Sequence, residues 1–173
     1  FIENGVFIFS DDGKSLIDNN LADEAFKLLS SLNAAIFQHC ESSCHSEPGD
    51  IAAPNDDETL ITIDETEESE VLLRDIELVA KYGTRYHAQH LSSKKCVDLI
   101  KEAKENNLPI TSEVTPHHLL ENNENLDTTN GLFKMYPPIR TEEDRLSLID
   151  GLLSNVIDAI ATDHAPHPEN TKT

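Results

Sequence analysis

The alternation of two hydrophobic periods constrains the fold of this chain more than any other feature of its sequence. Short apolar runs that end in polar or charged residues are separated by longer stretches in which apolar residues recur at helical spacing. This alternation is typical of a parallel sheet whose strands are joined by helices. The predicted strands are residues 6–9, 34–38, 85–89, 110–114 and 157–161.

Helical spacing of apolar residues predicts helices over residues 21–32, 69–82, 93–106 and 141–153. The second is expected to stop before Gly83, and the last to begin at a Thr141 N-cap followed by an acidic first turn. Residues 42–68 are rich in Asp and Glu and contain no Lys or Arg. We predict that they form an acidic surface loop within the domain; a disordered acidic linker is the alternative.

Five strands are too few to close a (β/α)8 barrel, which typically needs about 250 residues. A doubly wound open sheet could use five strands, but Gly13 follows its strand without the G-x-G-x-x-G pattern of a phosphate-binding turn. We therefore predict an α/β fold in which residues 1–173 form one domain, a partial (β/α)8 barrel of the TIM type.

The charge balance excludes several classes of partner. The formal net charge of -20 disfavours nucleic acids and anionic membranes, which require clustered Lys or Arg. No apolar run approaches the roughly 20 residues that a membrane span requires. The three cysteines form an odd set with no secretion signal before them, so we expect reduced thiols and a cytoplasmic protein.

Ionisable residues follow the predicted strands, where the loops of an α/β barrel converge on one mouth. Imidazole and carboxylate groups from separate strands suit zinc or a similar divalent ion, so the sequence predicts a metal site. A small zinc knuckle formed by His39, Cys40, Cys44 and His45 is a rival interpretation, disfavoured because adjacent residues of an extended chain point to opposite sides. The residues at the strand ends are Asp11, Asp12, His39, His90, Asp163 and His164.

Six short motifs together extend over nearly the whole chain. They are Phe9-Ser-Asp-Asp-Gly13, His39-Cys-Glu41, His87-Ala-Gln-His-Leu-Ser92, Glu113-Val-Thr-Pro-His-His-Leu119, Lys134-Met-Tyr-Pro-Pro-Ile-Arg140 and Ala161-Thr-Asp-His-Ala-Pro-His167. The last motif behind a strand, preceded by Glu-Val-Thr-Pro-His-His, is highly specific. In their residues and their order, the six motifs resemble the type I dihydroorotases of the amidohydrolase superfamily.

The resemblance implies a barrel corresponding roughly to strands 4 to 8 and two Zn²⁺ ions per complete site. Asp12 matches a carboxylate that bridges the two metals, and His39 and His90 match ligands of the second metal. Asp163 matches a ligand of the first metal that also shuttles a proton, and His167 matches a contact to the substrate carboxylate. The implied reaction is the reversible hydrolysis of dihydroorotate to N-carbamoyl-aspartate in pyrimidine (UMP) biosynthesis.

Two further residues, Tyr136 and Arg140, are predicted substrate contacts; the alternative for Arg140 is an exposed residue near the start of the helix at Thr141. Tyr136 departs from the family, which commonly has Asn before Pro-Pro, and this leaves the choice of substrate open. His117 and His118 are predicted either to contact the substrate or only to orient their loop.

The His-x-His pair that holds the family's first metal is absent from these residues and is expected upstream, so the chain alone is predicted to be inactive. A hydantoinase-like or allantoinase-like enzyme is one alternative, disfavoured because Asp12 stands where those enzymes generally have lysine. A non-catalytic scaffold for a partner such as aspartate transcarbamoylase is another. A homodimer is common among similar enzymes.

Overall fold

In the computed structural model, five parallel strands form one sheet whose spatial order, β1-β2-β3-β4-β5, is also their order along the chain. The structure describes residues 1–11, 13, 15–41, 65–126, 133, 135–166 and 168. The strands are β1 (Ile8–Ser10), β2 (Ala35–Gln38), β3 (Arg85–Ala88), β4 (Ile110–Val114) and β5 (Ala159–Ile160). The predicted α/β fold with a parallel sheet is confirmed.

Four of the described helices begin where a polar side chain caps free backbone amides. Asp18 accepts hydrogen bonds from the amides of Asn20 and Leu21 at 2.8 and 3.0 Å, and Thr141 forms a reciprocal capping box with Asp144. The helices are α1 (Asn19–Ser31), α2 (Glu65–Tyr82), α3 (Lys94–Glu105), α4 (Pro116–Leu120) and α5 (Glu142–Leu153), after a single 3-10 turn at Ile2–Asn4.

The four longer helices are followed by residues that tolerate a left-handed backbone. Asn33, Asn107 and Asn155 follow α1, α3 and α5 with φ of 51, 58 and 61°, and Gly83 follows α2 with φ of 68°. Asparagine and glycine adopt this conformation at lower cost than other residues, so they terminate helices. The predicted stop of the second helix before Gly83 is confirmed.

The main core lies between the sheet and the helices. The ring of Phe26 on α1 stacks on Tyr86 of β3 at 5.8 Å between centroids, and both side chains are buried. Burying a large apolar side chain of this kind contributes about 1.5–3 kcal/mol to folding. Further buried core residues come from all of the longer helices: Leu29, Leu72, Val79, Val97, Ile100 and Leu148.

The second helix begins earlier than the sequence pattern predicted. It starts at Glu65 rather than Ser69, so the last four residues of the predicted acidic loop 42–68 are helical, and residues 42–64 lie outside the described residues. The apolar periodicity missed this turn because Glu68, although charged, is buried against specific partners. The short helix α4 was also missed, although Thr115 caps it and Pro116 occupies its first turn.

Candidate metal and substrate site

His39 and His90 meet at the carboxyl ends of two adjacent strands. His39 follows β2 and His90 lies beyond β3, and each residue is only 4% exposed. The Nδ1 atom of His39 lies 2.9 Å from the Nε2 atom of His90, and the ring centroids are 4.6 Å apart in an edge-to-face arrangement. The structure therefore brings together two of the four predicted metal ligands.

The environment of His90 favours the protonation state that a metal ligand needs. Burial, followed by the nearby His39 and His118, lowers the pKa of His90 to about 3. The imidazole is therefore neutral near pH 7 and keeps a lone pair on one ring nitrogen, as metal coordination requires. On the far side of His39, Nε2 lies 2.9 Å from a carboxylate oxygen of Glu41. A carboxylate in that position orients a ligating imidazole in many metal sites.

Asp163 stands at the end of the edge strand β5. Its φ is 47°, a left-handed value that is uncommon for residues other than glycine, and the residue is exposed, as is His164. His90 shares this feature with a φ of 31°. Unlike the asparagines after helices, both residues lie beyond strands, and uncommon backbone conformations there are a frequent mark of functional positions.

The structure describes only some of the remaining residues that were predicted at the site. Asp12, a predicted metal ligand, and His167, a predicted substrate contact, lie outside the described residues. Asp11 is described and is exposed beyond β1. Within the described part of the chain, no group of three or more His, Cys, Asp and Glu side chains is arranged to hold a metal ion.

Tyr136 is half-buried next to this edge of the sheet. Partial burial, and then the negative charge of Glu41, raise the pKa of its phenol. The hydroxyl therefore keeps its proton near pH 7 and is able to donate a hydrogen bond. Glu41 thus acts on the predicted substrate contact Tyr136 through its charge and on the histidine pair through its contact with His39.

His118 orients the segment that carries Tyr136. Its Nε2 lies 3.1 Å from the carbonyl oxygen of Pro137, and its Nδ1 lies 2.7 Å from the hydroxyl of Thr115. A carbonyl oxygen only accepts, so Nε2 carries the proton and Nδ1 accepts from Thr115. Burial, followed by the nearby His117, lowers the pKa of His118 to about 3, so this neutral tautomer is retained.

Arg140 is buried, and its guanidinium is engaged by protein groups. Its Nη2 lies 3.1 Å from a carboxylate oxygen of Glu68, and its Nε donates to the hydroxyl of Ser92 at 2.6 Å. Sequence reasoning did not anticipate the roles of Glu68 and Ser92. Ser92 could have been noticed because it closes the motif that contains His90, whereas Glu68 is one acid among many in its segment.

The surroundings of Cys40 argue against the rival zinc knuckle. Its Sγ lies 3.2 Å from the hydroxyl of Tyr86, which donates to the buried carboxyl of Asp75 at 3.0 Å. Cys40 is only 5% exposed, so its thiol is packed among these core groups, as expected for a small buried side chain. Cys44 and His45 lie outside the described residues.

The sequence is similar to known proteins along nearly its whole length. The chain is 40% identical over 173 residues to a dihydroorotase from Fusobacterium nucleatum, covering 99% of this chain and 41% of the relative. It is 41% identical over 172 residues to a dihydroorotase from Lactobacillus leichmannii, covering 98% of this chain and 40% of that protein. No family model matches the chain.

Solved structures show the same fold at lower sequence identity. An L-hydantoinase (dihydropyrimidinase) from Arthrobacter aurescens matches 95% of this chain and 38% of its own, with a TM-score of 0.76 and 22% identity. A dihydroorotase from Saccharomyces cerevisiae, solved with 5-fluoroorotic acid, matches 90% of this chain and 42% of its own, with a TM-score of 0.69 and 19% identity. These neighbours have TIM-barrel folds, which confirms the prediction of a partial barrel.

The chain spans about two-fifths of the length of the curated relatives that it matches. The agreement nevertheless extends along the whole of this chain, and it includes the two strands whose ends carry His39 and His90. Along its whole length, the chain is therefore similar to dihydroorotases.

Proposed function

We propose that the protein is a dihydroorotase that hydrolyses the cyclic amide of dihydroorotate reversibly to N-carbamoyl-aspartate, a step of pyrimidine (UMP) biosynthesis. The observation that carries this proposal is the identity of about 40% to dihydroorotases over the whole chain. The convergence of the buried His39 and His90 supports it, because both are positions where the family is expected to bind metal.

The described residues fit a divalent ion in part. Two buried imidazoles meet at the carboxyl ends of β2 and β3, and the His90 imidazole is neutral. We propose that His39 and His90 would hold one Zn²⁺, that Asp163 would be a ligand of the other, and that the Asp12 carboxylate would be shared between them. When bound, such ions would polarise the amide carbonyl and make a water molecule a better nucleophile.

The protein's own groups would then move the proton and hold the substrate. Asp163 is the proposed general base that takes a proton from the attacking water and delivers it to the leaving ring nitrogen. Its exposure beyond β5 leaves its carboxylate accessible to a substrate. The protonated phenol of Tyr136 is a proposed hydrogen-bond donor to the ring, and His167 a proposed contact to the substrate carboxylate.

Arg140 stays a predicted substrate contact, and its bonds to Glu68 and Ser92 define a competing role that is developed below. For the whole protein we propose a cytoplasmic location and assembly as a homodimer or with aspartate transcarbamoylase. Sedimentation of the full-length protein, alone and mixed with that partner, tests the assembly. Among the described residues, no helix is both long and apolar enough to cross a bilayer.

The proposed activity is tested with the full-length protein that contains this chain. Ring opening of dihydroorotate is followed by its ultraviolet absorbance, with hydantoin and allantoin as matched alternative substrates. We expect turnover of dihydroorotate alone, its loss after chelation, and its recovery on adding Zn²⁺. Turnover of hydantoin instead would identify another cyclic amidohydrolase, and failure to bind any metal would identify a scaffold subunit.

A further inference from the structure

A buried polar cluster, the Glu68 clamp, lies next to the histidine pair and consists of Glu68, Ser92 and Arg140. Glu68 belongs to the first turns of α2, Ser92 follows β3, and Arg140 precedes α5. Their exposed fractions are 4%, 1% and 9%. Three segments far apart in the sequence therefore meet at this cluster, out of contact with bulk water.

The carboxylate of Glu68 is the centre of the clamp. Its Oε1 accepts a hydrogen bond from the Ser92 amide at 3.0 Å, and its Oε2 accepts one from the Ser92 hydroxyl. The same Oε2 lies 3.1 Å from Nη2 of Arg140, and Arg140 donates from Nε to the Ser92 hydroxyl at 2.6 Å. Two opposite charges are thus buried together with directional hydrogen bonds, which offset the cost of removing them from water.

The clamp acts on the backbone that aims His90. Ser92 is two residues beyond His90, whose φ of 31° is uncommon for a residue other than glycine. Such a conformation persists only where the surrounding structure fixes it. Before His90, the Gln89 amide donates to the Gln38 carbonyl at 3.1 Å, and after it the Leu91 amide donates to the Glu113 carbonyl at 2.9 Å. Glu68 fixes the next residue by accepting from the amide and the hydroxyl of Ser92.

We propose that Glu68 is a positioning residue for the His90 imidazole and that Arg140 completes this clamp instead of binding substrate. The inference rests on the proposed function in that it treats His90 as a metal ligand. Glu68 itself touches neither substrate nor metal. It holds the turn after β3 in the conformation that directs the imidazole toward His39.

The first test compares Glu68→Gln with Glu70→Gln in the full-length protein. Both changes remove one negative charge from α2, but Glu70 is exposed. We expect Glu68→Gln to weaken binding of one Zn²⁺ by about tenfold or more, as is typical when the partners of a metal ligand are lost. The visible spectrum of the Co²⁺-substituted protein should also change. Metal affinity and spectrum equal to those of Glu70→Gln would overturn the proposal.

Arg140→Lys separates the two roles of the arginine. Lysine keeps the charge but cannot bond Ser92 and Glu68 together with the geometry of a guanidinium. The clamp predicts weaker metal binding and lower kcat with KM for dihydroorotate unchanged. A raised KM with unaltered metal affinity would show a substrate contact and overturn the assignment of Arg140.

Glu68→Gln leaves the Arg140 charge buried without its carboxylate partner, which destabilises the fold. A second variant therefore removes both charges. In Glu68→Leu/Arg140→Met, apolar side chains of similar size replace the ion pair, an exchange that often preserves or raises stability. Hydrogen exchange of the Ser92 amide should accelerate in this variant relative to Glu70→Gln, and unchanged exchange would overturn the clamp. This readout needs neither metal nor turnover, so it distinguishes failure of the clamp from failure of the proposed dihydroorotase activity.

Discussion

The ends of the central strands and the end of the edge strand present their polar side chains in opposite ways. His39 and His90, beyond β2 and β3, are almost fully buried and contact each other. Asp163, beyond β5, is exposed. A central strand has a neighbour on each side, whereas β5 pairs only with β4 in this sheet. The two imidazoles are therefore held between neighbouring strands of the described sheet, whereas Asp163 lies beyond the last strand that the structure describes.

This difference predicts that changes at the edge affect chemistry alone, whereas changes at the centre affect both chemistry and stability. The largest expected effect is that of Asp163→Asn in the full-length protein. An amide cannot accept and return a proton, so turnover should fall by roughly a thousandfold or more. Because asparagine has nearly the same size and shape as aspartate, the free energy of unfolding should change by less than about 0.5 kcal/mol.

Steady-state assays of dihydroorotate hydrolysis and denaturant unfolding measure the two effects of Asp163→Asn. Glu105→Gln is the matched control, since it removes an exposed negative charge at the end of α3. Wild-type turnover in Asp163→Asn would remove the proton-shuttle assignment. A large loss of stability would instead show that the edge is packed like the centre.

His90→Ala probes the centre. Deleting a buried side chain leaves a cavity and an unpaired nitrogen on His39, so we expect unfolding free energy to fall by about 1–3 kcal/mol even without metal. Metal affinity should fall as well. Denaturation of the metal-free protein and a zinc titration provide the measurements. Unchanged stability of the metal-free variant would contradict the view that the centre is organised by the protein itself.

The smallest expected effect concerns α5, the helix that leads into the edge strand. Thr141→Ala removes the capping box with Asp144 and should lower the free energy of unfolding by about 1 kcal/mol. Thr141→Ser keeps the hydroxyl and should restore most of that loss. Zinc binding should be unaffected in both, because the cap does not touch the histidine pair. Equal stabilities of the alanine and serine variants would show that the cap contributes nothing.

Sequence patterns predicted those features that depend on neighbouring residues in the chain. The apolar runs located each strand to within about two residues, a shift that is usual at the ends of elements. The predicted strand 110–114 has the same bounds as β4, Ile110–Val114. The motifs placed His39 and His90 at strand ends, where the structure brings them together. In both cases the information lies in local spacing.

Features that depend on distant residues were not predictable in the same way. The buried state of Glu68 results from Ser92 and Arg140, which lie 24 and 72 residues away along the chain. In a segment with so many acids, nothing local marks Glu68 as the buried one. Arg140 was likewise expected either to bind substrate or to be exposed, because its partners could not be identified before the fold was known.

The agreement between the spatial and sequential order of the strands has a consequence for how the sheet forms. Each of the strands β2 to β5 pairs with the strand synthesised just before it. None of these pairings requires a strand to be inserted later between two that have already formed. The two longest connections, residues 39–84 and 115–158, precede β3 and β5. Loop-closure entropy grows only slowly with length, by about 0.6 kcal/mol for each doubling. The sheet is therefore able to assemble in the order of translation, with the histidine pair completed as soon as β3 docks.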